Sequence, residues 1–392
     1  MPSVHALFGS SNYWGSPVKV GSHHLATGLV RRGWRVGYVS DPISPFHVMK
    51  PSSELRQRVQ IWRSGGVDDL DGSLWAYVPG AIVVPDPRWP FRHPTVAARW
   101  AAASVPRLSR VLTKHGFSTV QLLCIDSLVL VPLAEMVESK CLVYRMADRA
   151  SGFPDFTPAI ARAEAALIAR ADLVACSSEG LVNHAQDLGA SNAVLVQNGV
   201  DFDLFSTPTG AIPPEYKDLD GPIAVYAGTV DYWFDDSLIV AAAKALPEVT
   251  FVVIGPGGPD SSTLRVQRNV MVLGPRPHAS LPSYLQHADV GLIPLRARDL
   301  QERLETARSL KLFEYLAAGL PVVATSWTEI ERLGSPAVLT QGTGEFVEAL
   351  ESTLASSVDR AEMVDYARGF DWGDSVDLLI ANVTKFLGEG ES

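Results

Sequence analysis

Short unbroken apolar runs punctuate this chain, separated by stretches where apolar residues recur every three or four positions. In the first half the runs are Val4–Phe8, Val36–Val39, Val120–Ile125, Leu142–Tyr144 and Leu173–Cys176. In the second they are Ile223–Tyr226, Phe251–Ile254, Val270–Leu273, Val290–Ile293 and Val322–Ala324. Unbroken apolar strands are buried on both faces, and the helical stretches between them supply the covering layers. Two such sets predict an α/β chain of two Rossmann-like domains with parallel sheets. The break falls near 198–220, where "NGVD" leads into the Pro/Gly-rich "STPTGAIPPEYKDLDGP". The domains are therefore expected at 1–200 and 201–370, with a terminal segment 371–392 whose "FDWGDSVDLLIANVTKFL" reads as a capped amphipathic helix. The longest apolar region, about 120–137, contains Gln121, Asp126 and Glu135 and reads as a strand and helix, not a membrane span.

The segment "RSLKLFEYLAAGLPVVATS", residues 308–326, combines structure with chemistry. Ser309 is placed to cap a short helix, Gly319 to stop it in a left-handed turn, and Pro321 forbids continuation. Leu312, Phe313, Leu316 and Ala317 form its apolar face, with Lys311, Glu314 and Tyr315 on the other side. The open N–H groups of Leu310, Lys311 and Leu312 form an anion site, and Lys311 adds a full charge. Glu314 lies about 4.5 Å further along the axis, where a carboxylate could accept from ribose hydroxyls while a diphosphate sits on the helix start. A solvated Lys–Glu pair on an ordinary amphipathic helix accounts for the same spacing.

Composition narrows the class. Apolar content of 47% and charged content of 19% over 392 residues describe a globular chain. The opening "MPSVHALFGSSNYWG" has no basic stretch followed by an apolar core, so no secretory signal is expected. Cys124, Cys141 and Cys176 lie in apolar runs without zinc spacing and read as buried cytosolic thiols. The net charge of −10 divides unevenly, with +4 over residues 1–200 and −14 over 201–392. A basic half on an acidic chain suggests an anionic partner for that half alone.

With these segments in view, "KLFEYLAAGLPVVAT" resembles the nucleotide-binding segment of the GT-B glycosyltransferases. "ADLVACSSEGLVNHA" (171–185), "VQNGVDFDLF" (196–205) and "IAVYAGTVDYWFDDSLIVAAAKALPEVTFVVIGPGG" (223–258) resemble further parts of that fold, in the expected order. The resemblance implies two Rossmann-like domains facing across a cleft, with the last helix crossing back to the N-terminal domain. It implies transfer of a sugar, hexosyl or glucuronosyl, from a nucleotide-sugar. Within the group, "VYRMADRASG" (143–152) is similar to the membrane-associated glucuronosyltransferase of xanthan assembly, whose catalytic aspartate matches Asp148.

The implied mechanism is a single inverting displacement, Asp148 taking the proton of an acceptor hydroxyl. A salt bridge to Arg145 or Arg149 would explain the same aspartate structurally. His23 and His24, at the start of the helix after the first Gly/Ser-rich turn, are rival bases. For the nucleotide the candidates are Gly228, Leu295, Arg296, Ser309, Leu310, Lys311 and Glu314. Arg303, Arg308 and Glu305 lie in the loop before the helix. Retaining members of the group usually carry a basic residue soon after the glycine, and here Thr229, Val230, Asp231 and Tyr232 follow. A retaining transferase, a non-catalytic nucleotide-sugar-binding partner and an oxidoreductase are the rival readings, the last lacking a dinucleotide fingerprint. No metal and no cofactor are expected, and Asp201–Asp203 is read as a cap rather than a metal motif.

Residues 88–114 carry six Lys/Arg and no Asp/Glu, interleaved with Trp89, Phe91 and Trp100. Such a mixture suits an anionic membrane, each cation near the surface contributing about 1 kcal/mol. Arg88, Trp89, Arg92, Arg99 and Trp100 are the candidate contacts, and a core helix with a wet arginine face is the alternative. The expected partners are therefore a nucleotide-sugar donor, a lipid-linked or glycan acceptor and an anionic membrane, without nucleic acid. The expected location is the cytoplasmic face of the cell membrane.

Overall fold

The structure, a computed structural model, describes residues 4–47, 52–85, 91, 93–257 and 262–388. The chain divides into two compact units, Met1–Gln197 with Gly373–Ser392, and Asn198–Trp372.

The first unit is built on eight strands, β1 (His5–Ser10), β2 (Arg35–Ser40), β3 (Val67–Asp69), β4 (Leu74–Tyr77), β5 (Thr119–Ile125), β6 (Glu138–Met146), β7 (Leu173–Cys176) and β8 (Ala193–Leu195). Their order is β3-β4-β2-β1-β5-β6-β7-β8, parallel throughout except for the antiparallel β3–β4 pair. The five apolar runs became β1, β2, β5, β6 and β7. The strands not anticipated have weak signals. β3 is an exposed Val-Asp-Asp edge, β8 has three half-buried residues, and β4 is a four-residue Leu-Trp-Ala-Tyr segment. Beneath β4, Trp75 stacks on Tyr77, His115 and Phe117 at 4.3–5.7 Å.

The terminal helix Trp372–Leu387 contributes to this unit. Val376 occupies the space a side chain on Gly28 would need, its Cγ2 only 2.4 Å from an ideal Cβ there. Arg32 pairs with Asp377 and donates to the Gly373 carbonyl at 2.9 Å.

The second unit holds β9 (Ile223–Ala227), β10 (Thr250–Ile254), β11 (Val270–Gly274), β12 (Val290–Ile293), β13 (Val322–Thr325) and β14 (Val338–Thr340). They pair in parallel in the order β11-β10-β9-β12-β13-β14. β14 escaped the sequence pattern because it is only three residues long. Helix Leu310–Ala317 buries the predicted Leu312, Phe313, Leu316 and Ala317, and Gly319 ends it at φ +69°. Tyr315, expected on the polar side, is fully buried instead. Its hydroxyl accepts the Ala227 N–H at 2.6 Å, and its ring lies against Gly291, where a Cβ would meet it at 2.4 Å. A long aromatic side chain reaches across the sheet wherever a glycine makes room.

Each sheet reverses its strand order at one point, between β1 and β5 in the first and between β9 and β12 in the second. Open α/β sheets bind ligands outside the carboxyl ends of strands near such a reversal. All three cysteines are buried, and burial pushes the Cys141 and Cys176 thiols up to about 12. Among the described residues no helix is long and apolar enough to cross a membrane.

Candidate active site

In the second unit Gly228 directly follows β9. An ideal Cβ there would lie 2.0 Å from Lys311 Cε and 2.9 Å from Nζ, so the lysine occupies the room left by the missing side chain. Its ammonium also lies 5.6 Å from the centre of the Tyr226 ring. Lys311 keeps some surface open, yet its charge is densely surrounded. Burial lowers its pKa, with Glu314 opposing and Arg303 adding to the fall.

Arg303, a candidate from the loop before the helix, is thus a second cation near Lys311. Arg303 stacks over Trp233 at 4.6 Å and Tyr232 at 5.2 Å and donates to the Tyr232 hydroxyl. Two cations sharing a partly desolvated site repel each other, and an anion between them relieves that repulsion.

Ser309 occupies the N-cap position but makes no side-chain capping bond. The donors of Leu310 and its neighbours at the helix start are therefore not satisfied by that hydroxyl. Glu314 is 8% exposed, and its Oε1 lies 2.9 Å from His278 Nε2. His278 follows β11, 36 residues upstream of Glu314, and sequence spacing gave no hint of this contact.

Other candidates divide away from this cluster. Arg296 donates to the Phe234 carbonyl and to Asp236, both at 3.0 Å, tying its loop to the helix Asp236–Ala245. Leu295 is a core residue whose N–H reaches Thr325 Oγ1 at 3.0 Å. Both line a cavity of about 850 Å³ at the ends of β12–β14, whose lining does not include Gly228, Lys311 or Glu314. Glu305 is exposed on that cavity. Arg308 is structural, bonded to the 1%-exposed Glu329 at 2.7 and 3.1 Å.

In the first unit the strand ends carry carboxylates and hydroxyls. Asp126, just past β5, accepts from Ser10 Oγ at 3.0 Å, from the Ser11 N–H at 3.1 Å and from Ser22 Oγ. Desolvation raises its pKa, and the Ser22 bond and Arg145 act against that. Asp41, past β2, accepts from Ser127 Oγ, and its desolvated setting pushes it up to about 7. Arg145 is 1% exposed at the end of β6. Burial lowers its pKa, and its charge is balanced first by Asp126, with Asp148 a smaller influence.

Asp148 lies two residues beyond β6, half-buried. The loop that carries it is anchored by Ser177, whose N–H donates to Met146 O and whose hydroxyl donates to Ala147 O at 2.8 Å. Asp126, Asp41 and the Ser10, Ser22 and Ser127 hydroxyls were not foreseen as site residues, although each follows an apolar run or opens a helix.

The histidines fare differently from Asp148. His23 Nδ1 accepts the Val20 N–H at 3.2 Å, which leaves the proton on Nε2, 3.1 Å from the Tyr13 carbonyl. Its ring packs between Trp14 and Tyr38, with centroids at 5.4 and 5.1 Å. Both nitrogens are committed to backbone, so this buried imidazole holds the helix start and is corrected from a rival base to a structural residue. His24 is half-buried on the same helix.

Of the candidate membrane contacts, Arg88, Trp89 and Arg92 lie outside the described residues. Arg99 is exposed. Trp100 is corrected to a core residue, 2% exposed, its indole donating to the Val129 carbonyl at 2.7 Å. An alanine-flanked tryptophan finds more apolar contact inside than at a surface. Asp201 caps the helix Phe202–Ser206 through the Leu204 N–H. Among the described residues no group of three or more His, Cys, Asp or Glu side chains is arranged to hold a metal ion.

Two units, each built on a largely parallel sheet whose strand order reverses once, give the chain the architecture of the GT-B glycosyltransferases, and each half matches a glycosyltransferase family. Residues 8–177 match the model for the N-terminal domain of the glucuronosyltransferase GumK, and residues 221–356 match the model for glycosyl transferases group 1.

Among individual relatives, the chain is 30% identical over 247 residues to TuaH, described as a glycosyltransferase of teichuronic acid biosynthesis in Bacillus subtilis (strain 168), covering 58% of this chain and 60% of that one. It is 29% identical over 215 residues to the UDP-glucuronate:glycolipid 2-beta-glucuronosyltransferase of Xanthomonas campestris pv. campestris, covering 53% and 48%. The chain thus spans about half to three fifths of the length of these curated relatives. Among solved structures, sucrose-phosphate synthase from Thermosynechococcus elongatus superposes with a TM-score of 0.70 at 15% identity, over 98% of this chain and 99% of that one. Anabaena HepE in complex with UDP and glucose does so with a TM-score of 0.68 at 16% identity, over 97% and 100%. At such identities these two likenesses speak for the fold.

Proposed function

We propose that this chain moves a sugar from a nucleotide-sugar, UDP-linked, to a lipid-linked or polysaccharide acceptor at the cytoplasmic face of a membrane, with inversion at the anomeric carbon. The observation that carries the reading is the packing of Lys311 into the space over Gly228 at an uncapped helix start, with Arg303 beside it. A diphosphate binding there would meet helix N–H donors and two cations, and would relieve their mutual repulsion. Glu314, positioned by His278, would accept from ribose hydroxyls.

Asp148 would accept the proton of the acceptor hydroxyl as its oxygen attacks the anomeric carbon. The bond to the diphosphate breaks on the opposite side, and the nucleoside diphosphate leaves with its charge held by Lys311 and Arg303. One displacement inverts the centre. The absence of a basic residue directly after Gly228 favours this over a retaining mechanism. The membrane assignment draws on the basic first half and exposed Arg99, and on the glycolipid named for the Xanthomonas relative.

The test is transfer by purified protein from a panel of UDP-, GDP- and TDP-sugars to a lipid-linked acceptor, with the product anomer read by proton NMR. UDP-sugar turnover with an inverted anomeric proton supports the proposal. A retained configuration removes the mechanism, and nucleotide binding without transfer or donor hydrolysis would mark a non-catalytic partner.

A further inference from the structure

Away from the strand-end carboxylates, the first unit has a groove of about 690 Å³ whose lining is mostly apolar, within the range of ligand pockets, about 300–1,000 Å³. One wall is the helix Ser53–Ser64, which sets two stripes side by side. Leu55, Val59 and Trp62, spaced four and three apart, share one stripe, while Arg56 and Arg63, seven apart, share the next. The facing wall includes Ile82 and Val105, large apolar side chains left 61% and 52% exposed.

The floor is fixed. The Trp62 indole donates to the Val105 carbonyl at 2.6 Å, and its ring lies where an ideal Cβ on Gly80 would come within 2.5 Å of Nε1. Among the described residues none that lines it is acidic. The wall that begins at Ile43 follows Asp41 by two residues, so the groove opens from the same edge of the sheet as Asp126 and Asp148.

We propose that this groove holds the hydrocarbon chain of a phosphate-bearing lipid, with Arg56 and Arg63 on its phosphate. The occupant follows from charge complementarity. A water-soluble anion would gain nothing from the apolar floor, and a neutral hydrocarbon would gain nothing from the two arginines. The inference rests on the lipid-linked acceptor proposed above and says where that acceptor is anchored. Its glycan head would then lie toward the edge that carries Asp148.

The probes are farnesyl diphosphate and farnesol, titrated calorimetrically into the full chain with UDP saturating any diphosphate site in the second unit. Farnesyl diphosphate is expected to bind at least tenfold tighter than farnesol. Val59→Glu and the exposed Ile82→Glu are each expected to weaken both ligands tenfold or more. Arg56→Glu with Arg63→Glu is expected to erase the preference for the diphosphate while sparing farnesol. Affinities unchanged by either set would overturn the proposal, as would groove substitutions that alter self-association in sedimentation, since the occupant would then be a second copy. If lipid binding follows the groove substitutions but no sugar is transferred to any lipid-linked acceptor, the groove stands and the catalytic reading falls. If transfer proceeds and Ile82→Glu leaves KM equal for long- and short-chain acceptors, the groove falls and the catalytic reading stands.

Discussion

The two sheets end in opposite chemistry. The carboxyl edge of the first carries Asp41, Asp126 and Asp148, the last two acting on the charge of buried Arg145, a setting suited to holding and moving protons. The carboxyl edge of the second sets Lys311 over a glycine with Arg303 near it, a setting suited to a phosphate. The net charges of the two halves run the other way, +4 for residues 1–200 and −14 for 201–392. The sign of a site is set by which few residues lie at strand ends near the reversal of strand order, and totals over a domain do not locate it.

The sharpest way to break this contrast is to remove one member from each edge. Asp148→Asn is nearly isosteric and cannot accept a proton. It is expected to lower the transfer rate by about 10² to 10⁴, with UDP affinity measured by calorimetry unchanged. Retention of most activity would take Asp148 out of the base role.

Lys311→Ala should do the converse and raise the UDP dissociation constant. A charge-assisted contact is worth about 1.5–3 kcal/mol, which corresponds to roughly 10- to 150-fold. Unchanged affinity for UDP would dissolve the cationic edge as a site.

Gly228→Ala removes no charge and should still weaken UDP binding, by roughly tenfold, because the added methyl must displace the lysine from its seat. The same measurement on Gly28→Ala in the first unit, where the clash is with Val376, should lower thermal stability and leave UDP affinity alone. A weaker grip on UDP after Gly28→Ala would blur the contrast between the two edges.

The mildest test concerns protons at the first edge. The folded chain raises Asp41 to about 7, so between about pH 4 and pH 7 it holds a proton that the unfolded chain releases. Stability from this group is therefore lost as pH rises through that window. Asp41→Asn should raise Tm by a few degrees at pH 8, reflecting at most about 2 kcal/mol after allowance for its partial solvent contact, and leave Tm unchanged near pH 4. A gain of equal size at both pH values would mean that the effect is packing rather than charge.

Much of the molecule was readable along the chain. The apolar runs named five of the eight strands in the first sheet and five of the six in the second, because strands buried on both faces cannot be polar. The short edge strands had too few residues to show a pattern. Asp148, Lys311 and Gly228 were singled out as candidates through the segments that carry them. His278 beside Glu314 and Asp126 near Arg145 were not, since each pair is separated by many positions and meets only in the fold; Arg303 was named in its loop, and only the fold set it near Lys311. The fates of His23, Tyr315 and Trp100 turned on which side chain found a cavity or a carbonyl in the packed core.

The chain's own pattern of apolar runs, glycine stops and helix starts determined the elements and their class, because hydrophobic periodicity and backbone stereochemistry are local properties. Which residues became chemistry and which became packing was decided by folding, since desolvation, hydrogen-bond satisfaction and charge pairing exist only once distant segments share the same low-dielectric space.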